Sequence, residues 1–368
     1  MYKLEDWLTL WRVPGIGPAR FHALIERIGP PGQVLDATTT RITSSGFPHT
    51  LAAAIAGVDR DCCERDLEWE DHPRHEILTL ADDRYPPALK EIPNPPPLLF
   101  VTGETSCLND PQLAIVGTRN PTPGGAQNTR AFAAELADAG LTITSGLARG
   151  VDGIGHEAVL SRNGLTIAVT ATGPDRVYPA RHRELAHRIA DSGAIVTEFP
   201  VGTPPSADRF PRRNRLISGL SLGTLVTEAA RRSGALITAR HAIEQGREVF
   251  AIPGSIHNPV ARGCHALIRQ GAKLVETASD VLEELAGQID LRSSAPDAAA
   301  VVSRARKDLG PDDIKLLSSM GHDPVFVEDI VETSGLTPES VSSMLIMLEL
   351  KGYVGLGSNG AYHRLRSQ

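Results

Sequence analysis

The stretch from Phe210 to Glu228, FPRRNRLISGLSLGTLVTE, brings together residue types that can hold a nucleotide. Arg212, Arg213 and Arg215, with Arg209 just ahead of the stretch, offer planar guanidinium donors, which fit phosphate oxygens two at a time. Phe210 offers a face on which any base can stack, and Asn214 adds an amide. The stretch then runs through Thr224–Val226 to Thr227 and Glu228, so it reads as a charged helix start feeding a buried strand. A solvated charge run ahead of a core strand would have the same composition. The rest of the chain has to decide between the two.

Between 111 and 286, short apolar runs alternate with helical segments. The expected strands are Leu113–Gly117, Leu141–Ser145, Thr166–Ala171, Ala194–Phe199, Thr224–Thr227, Glu248–Ile252 and Lys273–Val275. Continuous apolar strands separated by helices predict an α/β fold, a Rossmann-like doubly wound, mostly parallel sheet covered on both faces. Such sheets bind ligands beyond the carboxyl ends of their strands. The segments in that position carry Gly117, Thr118 and Arg119; Ser145, Gly146, Arg149 and Gly150; Tyr178; the Arg209–Arg215 cluster; and Ser233 and Thr238. Glycines, hydroxyls, arginines and a few aromatics are the constituents of an anion site. Gly146, Gly150 and Gly153 let the chain turn into a helix whose N–H groups can face a phosphate, or they serve the turn alone. Tyr178 and Phe210 can stack on bases or belong to the core. Asp152 reads as a helix cap or first-turn acid, and His156 as a structural hydrogen bonder. Glu228 is a candidate acid or base, or a partner for Arg213 or Arg215.

Several chemistries have no foothold. There is no GxGxxG after the first of these strands, no GxxxxGK[ST], no GxSxG elbow leading from a strand into a helix and no HExxH, so dinucleotide, P-loop, serine-hydrolase and zincin readings are not favoured. Cys62, Cys63, Cys107 and Cys264 form no CxxC pair, so no metal site or cofactor is expected, and a reducing cytoplasmic setting fits. MYKLEDWLTL does not look like a signal peptide, and no apolar run has the length of a membrane span. Net charge is -7 over 368 residues, so any positive potential for a polyanion must be local.

The runs VGTRNPTPGG, SGLARGVDGIGHEAVL, TIAVTATGPDRVYP, FPRRNRLISGLS, SGALITARHAIEQGREVFAIPG and RGCHALIRQGAKLV, in this order and spacing, resemble the bacterial DNA-processing protein A (DprA/Smf) family. YPPALKEIPNPPPLLFVTG extends the likeness upstream. The resemblance implies a Rossmann-like core that binds single-stranded DNA in natural transformation, protects incoming strands and helps load the recombinase RecA. It also implies a homodimer and no catalytic activity. Carried over by position, the contacts fall on Gly117, Thr118 and Arg119, on Ser145–Asp152, and on Phe210, Pro211, Arg213, Asn214 and Arg215. Pro174 and His182 depart from the family's GLDxxYPxxN element. Ala207 stands where some members carry lysine, a charge that Arg209 or Arg181 could supply.

On either side lie smaller units. Residues 1–72 read as a helical domain of SAM or helix-hairpin-helix type: Leu4–Leu10 and Phe21–Ile28 are helical and join through VPGIGPAR, with two further helices in Thr38–Glu70. That Gly-x-Gly turn either faces a DNA phosphate or is a connection needing glycine. Residues 73–110 read as an extended, proline-rich bridge that packs on the core's edge, and 111–286 as the core. Residues 287–308 read as a linker and 309–368 as a winged helix, with Leu345, Leu348 and Leu350 near one face of its third helix. That helix holds Glu339 and Glu349 and no arginine, which favours protein contact or dimer support over base reading. Two other functions stay open: a phosphoribohydrolase-like enzyme using Glu228, and a regulator whose Rossmann domain senses a nucleotide.

Overall fold

In the computed structural model, residues 3–288, 310–320, 324–351, 353–357 and 360–364 are described. The expected linker lies outside them from residue 289 onward. Nine strands make one sheet: β1 (His75–Thr79), β2 (Leu98–Gly103), β3 (Gln112–Val116), β4 (Thr142–Ser145), β5 (Thr166–Val169), β6 (Ala194–Thr197), β7 (Gly223–Val226), β8 (Glu248–Ala251) and β9 (Lys273–Leu274). Their order is β1-β2-β6-β5-β4-β3-β7-β8-β9. Strands β3 to β9 pair in parallel, while β1 and β2 are antiparallel to their neighbours. This is the mostly parallel, doubly wound sheet that the apolar runs predicted.

Side-chain alternation divides β3 between two cores. Ala114 and Val116 pack with Leu216, Ile217 and Leu220 on one face. Leu113 and Ile115 pack with Phe132, Leu136 and Val159 on the other. Every residue of β3, β4, β5 and β7 is buried, as expected of a parallel sheet covered on both faces, and the hydroxyls of Thr144 and Ser145 in β4 are hydrogen-bonded to Gln112 Oε1 and to the Ile115 carbonyl. The parallel part of the sheet begins at β3, winds outward through β4, β5 and β6, and then returns to place β7 on the other side of β3. The strand order therefore reverses between β3 and β7, where an open α/β sheet leaves a crevice at its carboxyl edge.

The proline-rich bridge does more than lie on the core's edge. Prolines 95–97 stop just before β2, and β2 hydrogen-bonds to β6, extending the sheet. Proline without an N–H is excluded from the ladder itself but not from the residues leading into it. A short helix, Pro87–Lys90, interrupts the bridge.

The N-terminal unit packs Trp7, Leu8, Phe21 and Leu24 against Ile77, Leu98 and Phe100 of β1 and β2. Its helices include Leu4–Arg12, Pro18–Ile28, Pro31–Leu35, Thr39–Ser44, His49–Ala56 and Glu64–Glu70, more and shorter pieces than the two expected after Thr38. Trp11 Nε1 donates to the carbonyl of Glu198 at 2.9 Å, and Arg12 pairs with buried Asp66 at 2.6 Å. Asp66 also accepts from Val201 N at 2.9 Å, so the head is pinned to the loop after β6.

The C-terminal unit is a winged helix: helices Pro311–Met320, Val327–Ser334 and Pro338–Leu350, then the hairpin β10 (Val354–Leu356) and β11 (Tyr362–Arg364). Leu345 and Leu348 join its core with Leu316, Ile330 and Val354. Leu350 does not, being 79% exposed. Two residues beyond Leu348 is about 200° of helical rotation, which turns it outward. Among the described residues no helix is long and apolar enough to cross a membrane.

Candidate nucleic-acid interface

The crevice at the β3–β7 reversal opens into a pocket of about 790 Å³. Its floor is built from the loop after β4 and the helix Arg209–Leu220. Gly150 has φ +78°, and a Cβ there would collide with the backbone carbonyls of Thr118 and Arg119. Only glycine both accepts that dihedral and permits the approach. The helix Val151–Leu160 starts directly after it.

Gly146 answers a different demand. A Cβ on it would lie 2.7 Å from both Arg213 Nη2 and Asp152 Oδ2, so the loop passes directly over two opposite charges. Arg213 is 4% exposed. Its Nη1 donates to the Gly146 carbonyl at 2.6 Å and to the carbonyl of Val169. Asp152 Oδ2 accepts from Ala148 N at 3.2 Å. Burial lowers the Arg213 pKa to about 10, with nearby Asp152 opposing the shift, so it stays charged at neutral pH. Burial likewise raises Asp152, and Arg213 opposes that shift. Ser145 is fully buried behind them, its hydroxyl donating to Ile115 O at 2.6 Å.

The rim is of another kind. Arg119, exposed at the end of β3, holds its guanidinium 5.8 Å from the Phe210 ring centroid. Phe210 in turn lies 5.7 Å from Tyr178, which is 46% exposed. Gly117, Thr118, Asn214, Ser233 and Thr238 also line the pocket, with exposed Arg232. Among the described residues, neither Arg119 nor Arg232 has a hydrogen-bonding or ion-pair acceptor. The rim can therefore clamp an anionic group while the aromatic pair receives a planar one.

The expected site residues divide accordingly. Gly117, Thr118, Arg119, Tyr178, Phe210, Arg213, Asn214, Ser233 and Thr238 meet in this pocket. Arg149 and Gly150 line a neighbouring cleft instead. Arg209 turns away, with its guanidinium 5.8 Å from the Phe199 ring centroid and Nη1 on the Pro204 carbonyl. Arg215 pairs with fully buried Glu198 and donates to Asn94 O at 3.0 Å. Arg212 lies over Phe199 at 5.5 Å and beside the Gly15–Arg20 turn. Arg181, the other candidate for the charge missing at Ala207, lines the neighbouring cleft. Arg232 was not singled out from the sequence. Its signal was its place directly after β7.

Glu228 does not orient Arg213 or Arg215. Its Oε1 accepts from Thr122 Oγ1 at 2.6 Å and from Asn258 Nδ2 at 3.4 Å, and its Oε2 accepts from Thr122 N at 2.9 Å. Thr122 caps the helix Pro123–Asp138 by accepting from Gly125 N. The carboxylate is thus placed against a helix N-terminus, where negative charge is favoured. His156 is buried with Nδ1 2.7 Å from Thr166 Oγ1. That hydroxyl donates to Ile143 O, so the ring nitrogen is the donor. Burial pushes His156 down to about 3, and it stays neutral. Among the described residues no group of side chains could hold a metal ion.

With this geometry described, comparison with known proteins is decisive. Residues 76–286 match the family described as DNA recombination-mediator protein A. The chain belongs to the DNA-processing protein A (DprA/Smf) family. Residues 3–54 match the family's N-terminal HHH domain and 298–356 its winged helix domain. The chain is 44% identical to Protein Smf of Escherichia coli over 88% of this chain and 87% of that one. It is also similar to the X-ray structure of DprA from Streptococcus pneumoniae, with a TM-score of 0.68 and 35% identity over 77% of this chain and 99% of that one. A Helicobacter pylori DprA structure, described for its single-stranded DNA binding mode, matches with a TM-score of 0.53 and 31% identity over 58% and 97%.

Proposed function

We propose that this chain is a non-enzymatic single-stranded DNA-binding protein of natural transformation, which protects incoming strands and helps load RecA onto them. The observation that carries the reading is the pocket at the β3–β7 reversal, where exposed Arg119 and Arg232 flank the Tyr178–Phe210 pair. Cations that track a backbone beside aromatics that stack on bases are the chemistry of sequence-tolerant single-strand binding. The Helicobacter pylori relative's single-strand binding mode supports the same assignment. RecA loading, a homodimer and a cytoplasmic location form part of the proposal. Glu228, which an enzymatic reading needs as acid or base, has both oxygens engaged by Thr122, and this favours binding over chemistry.

The test is fluorescence anisotropy of labelled oligo-dT and of the matching duplex across a salt series. Tight single-strand binding is expected, with the duplex much weaker. The slope of log K against log salt should be about -0.7 per phosphate engaged. Equal weak binding to both would overturn the reading.

A further inference from the structure

Beside the strand-end pocket lies a larger cleft, of about 1210 Å³, between the sheet domain and the winged helix. One wall carries Arg119, Arg149, Arg181 and His257, and the other carries Phe326 and His363. Arg119 lines this cleft and the strand-end pocket alike, so the two adjoin along one side chain. Resting on the function proposed above, we infer that the cleft is a second single-strand subsite and that the winged helix roofs the path of the same DNA strand.

Three observations carry this. First, Arg119, Arg149 and Arg181 are all exposed, and among the described residues none has a hydrogen-bonding or ion-pair acceptor. Among the described residues the one carboxylate in the lining is Glu157. A cleft with that excess of cations draws in an anionic chain. Second, Phe326 is 46% exposed at the start of the helix Val327–Ser334, whereas the winged helix's own core is filled by aliphatic side chains and Tyr353. An aromatic left out of the core and facing arginines suits a splayed base. Third, the helix a duplex reader would use, Pro338–Leu350, exposes Ile346, Met347 and Leu350 and contains no basic residue. The winged helix instead turns the opening of its second helix and the hairpin residue His363 toward the cleft. A strand held at Tyr178 and Phe210 would pass Arg119 and continue between Arg149 and Arg181 below and Phe326 above.

The experiment compares labelled oligo-dT of about 5 and about 15 nucleotides, lengths that bracket one binding unit and its extension, on the full chain. The variants are Phe326→Ala, Arg181→Ala and their combination, each first shown to unfold at the wild-type midpoint. The double variant should bind the longer oligonucleotide about tenfold or more weakly and the shorter one within about twofold. Wild-type affinity for the longer oligonucleotide in the folded double variant would overturn the inference, as would an equal loss for both lengths. A wild-type chain that binds neither length would instead defeat the proposed function itself. As an independent readout, photocrosslinking from successive iodouracil positions should reach Phe326. Crosslinks confined to Tyr178 and Phe210 would count against the subsite.

Discussion

The floor and the rim of the strand-end pocket are both made with arginine, yet the two sets of arginines do different work. Arg213 on the floor is buried, faces Asp152 across Gly146, and holds the carbonyls of Gly146 and Val169. Arg119 and Arg232 on the rim are exposed and have no acceptor among the described residues. A guanidinium removed from water is held by protein acceptors and a nearby counter-charge, and one left in water is available for a ligand. Charge that shapes a site is therefore separable from charge that binds there, even within a few ångströms.

This contrast can be broken most severely at the floor. Arg213→Ala should destabilise the fold by about 3–5 kcal/mol, because Asp152 would remain buried without its counter-charge. Chemical denaturation would measure this. Arg213→Lys should not restore the loss, since the shorter, more strongly hydrated ammonium does not reproduce a buried planar guanidinium. A stable, folded Arg213→Ala protein that has lost only DNA binding would erase the distinction between floor and rim.

The next effect is a pH dependence from the scaffold just below the floor. His156 has its pKa lowered from 6.5 to about 3 by burial. The unfolded chain binds that proton first, so the contribution is complete above pH 6.5 and is lost as pH falls toward 3. The expected slope is about 1.4 kcal/mol per pH unit within that window. His156→Gln should flatten this part of the stability profile in unfolding titrations between those limits.

At the rim, the expected losses are of binding alone. Phe210→Ala should weaken oligo-dT binding by about 1–3 kcal/mol, the range for one lost base–aromatic stack. Its unfolding midpoint should shift little, because Phe210 is only half-buried. Arg119→Ala should leave stability within about 0.5 kcal/mol of wild type. It should also reduce the salt slope by about 0.7, the share of one phosphate contact on a single strand.

Much of this was legible before any coordinates. The strands β3 to β9 announce themselves as short β-rich runs between turn residues, although most end a residue or two earlier than expected. Beyond Val169, for example, the chain leaves the ladder, and Thr170 and Ala171 belong to the carboxyl-end loop. Strand β2 was hidden by Pro95, Pro96 and Pro97, which argue against a ladder that begins only at Leu98. The division of labour among the arginines was not read, though its trace is in the sequence. Arg213 stands three, four and seven residues before Leu216, Ile217 and Leu220, on the buried face of one helix. Composition alone makes Arg209, Arg212, Arg213 and Arg215 look alike. Their fates depend on long-range partners such as Glu198, Val169 and Phe199, and a local pattern does not reveal those.

The most direct test of the account is anisotropy binding of labelled oligo-dT to an Arg119→Ala/Phe210→Ala double variant whose unfolding midpoint matches wild type. The account predicts loss of most single-strand affinity from a protein that remains folded. Unchanged affinity in that folded variant would contradict it and move the DNA away from the carboxyl edge of the sheet.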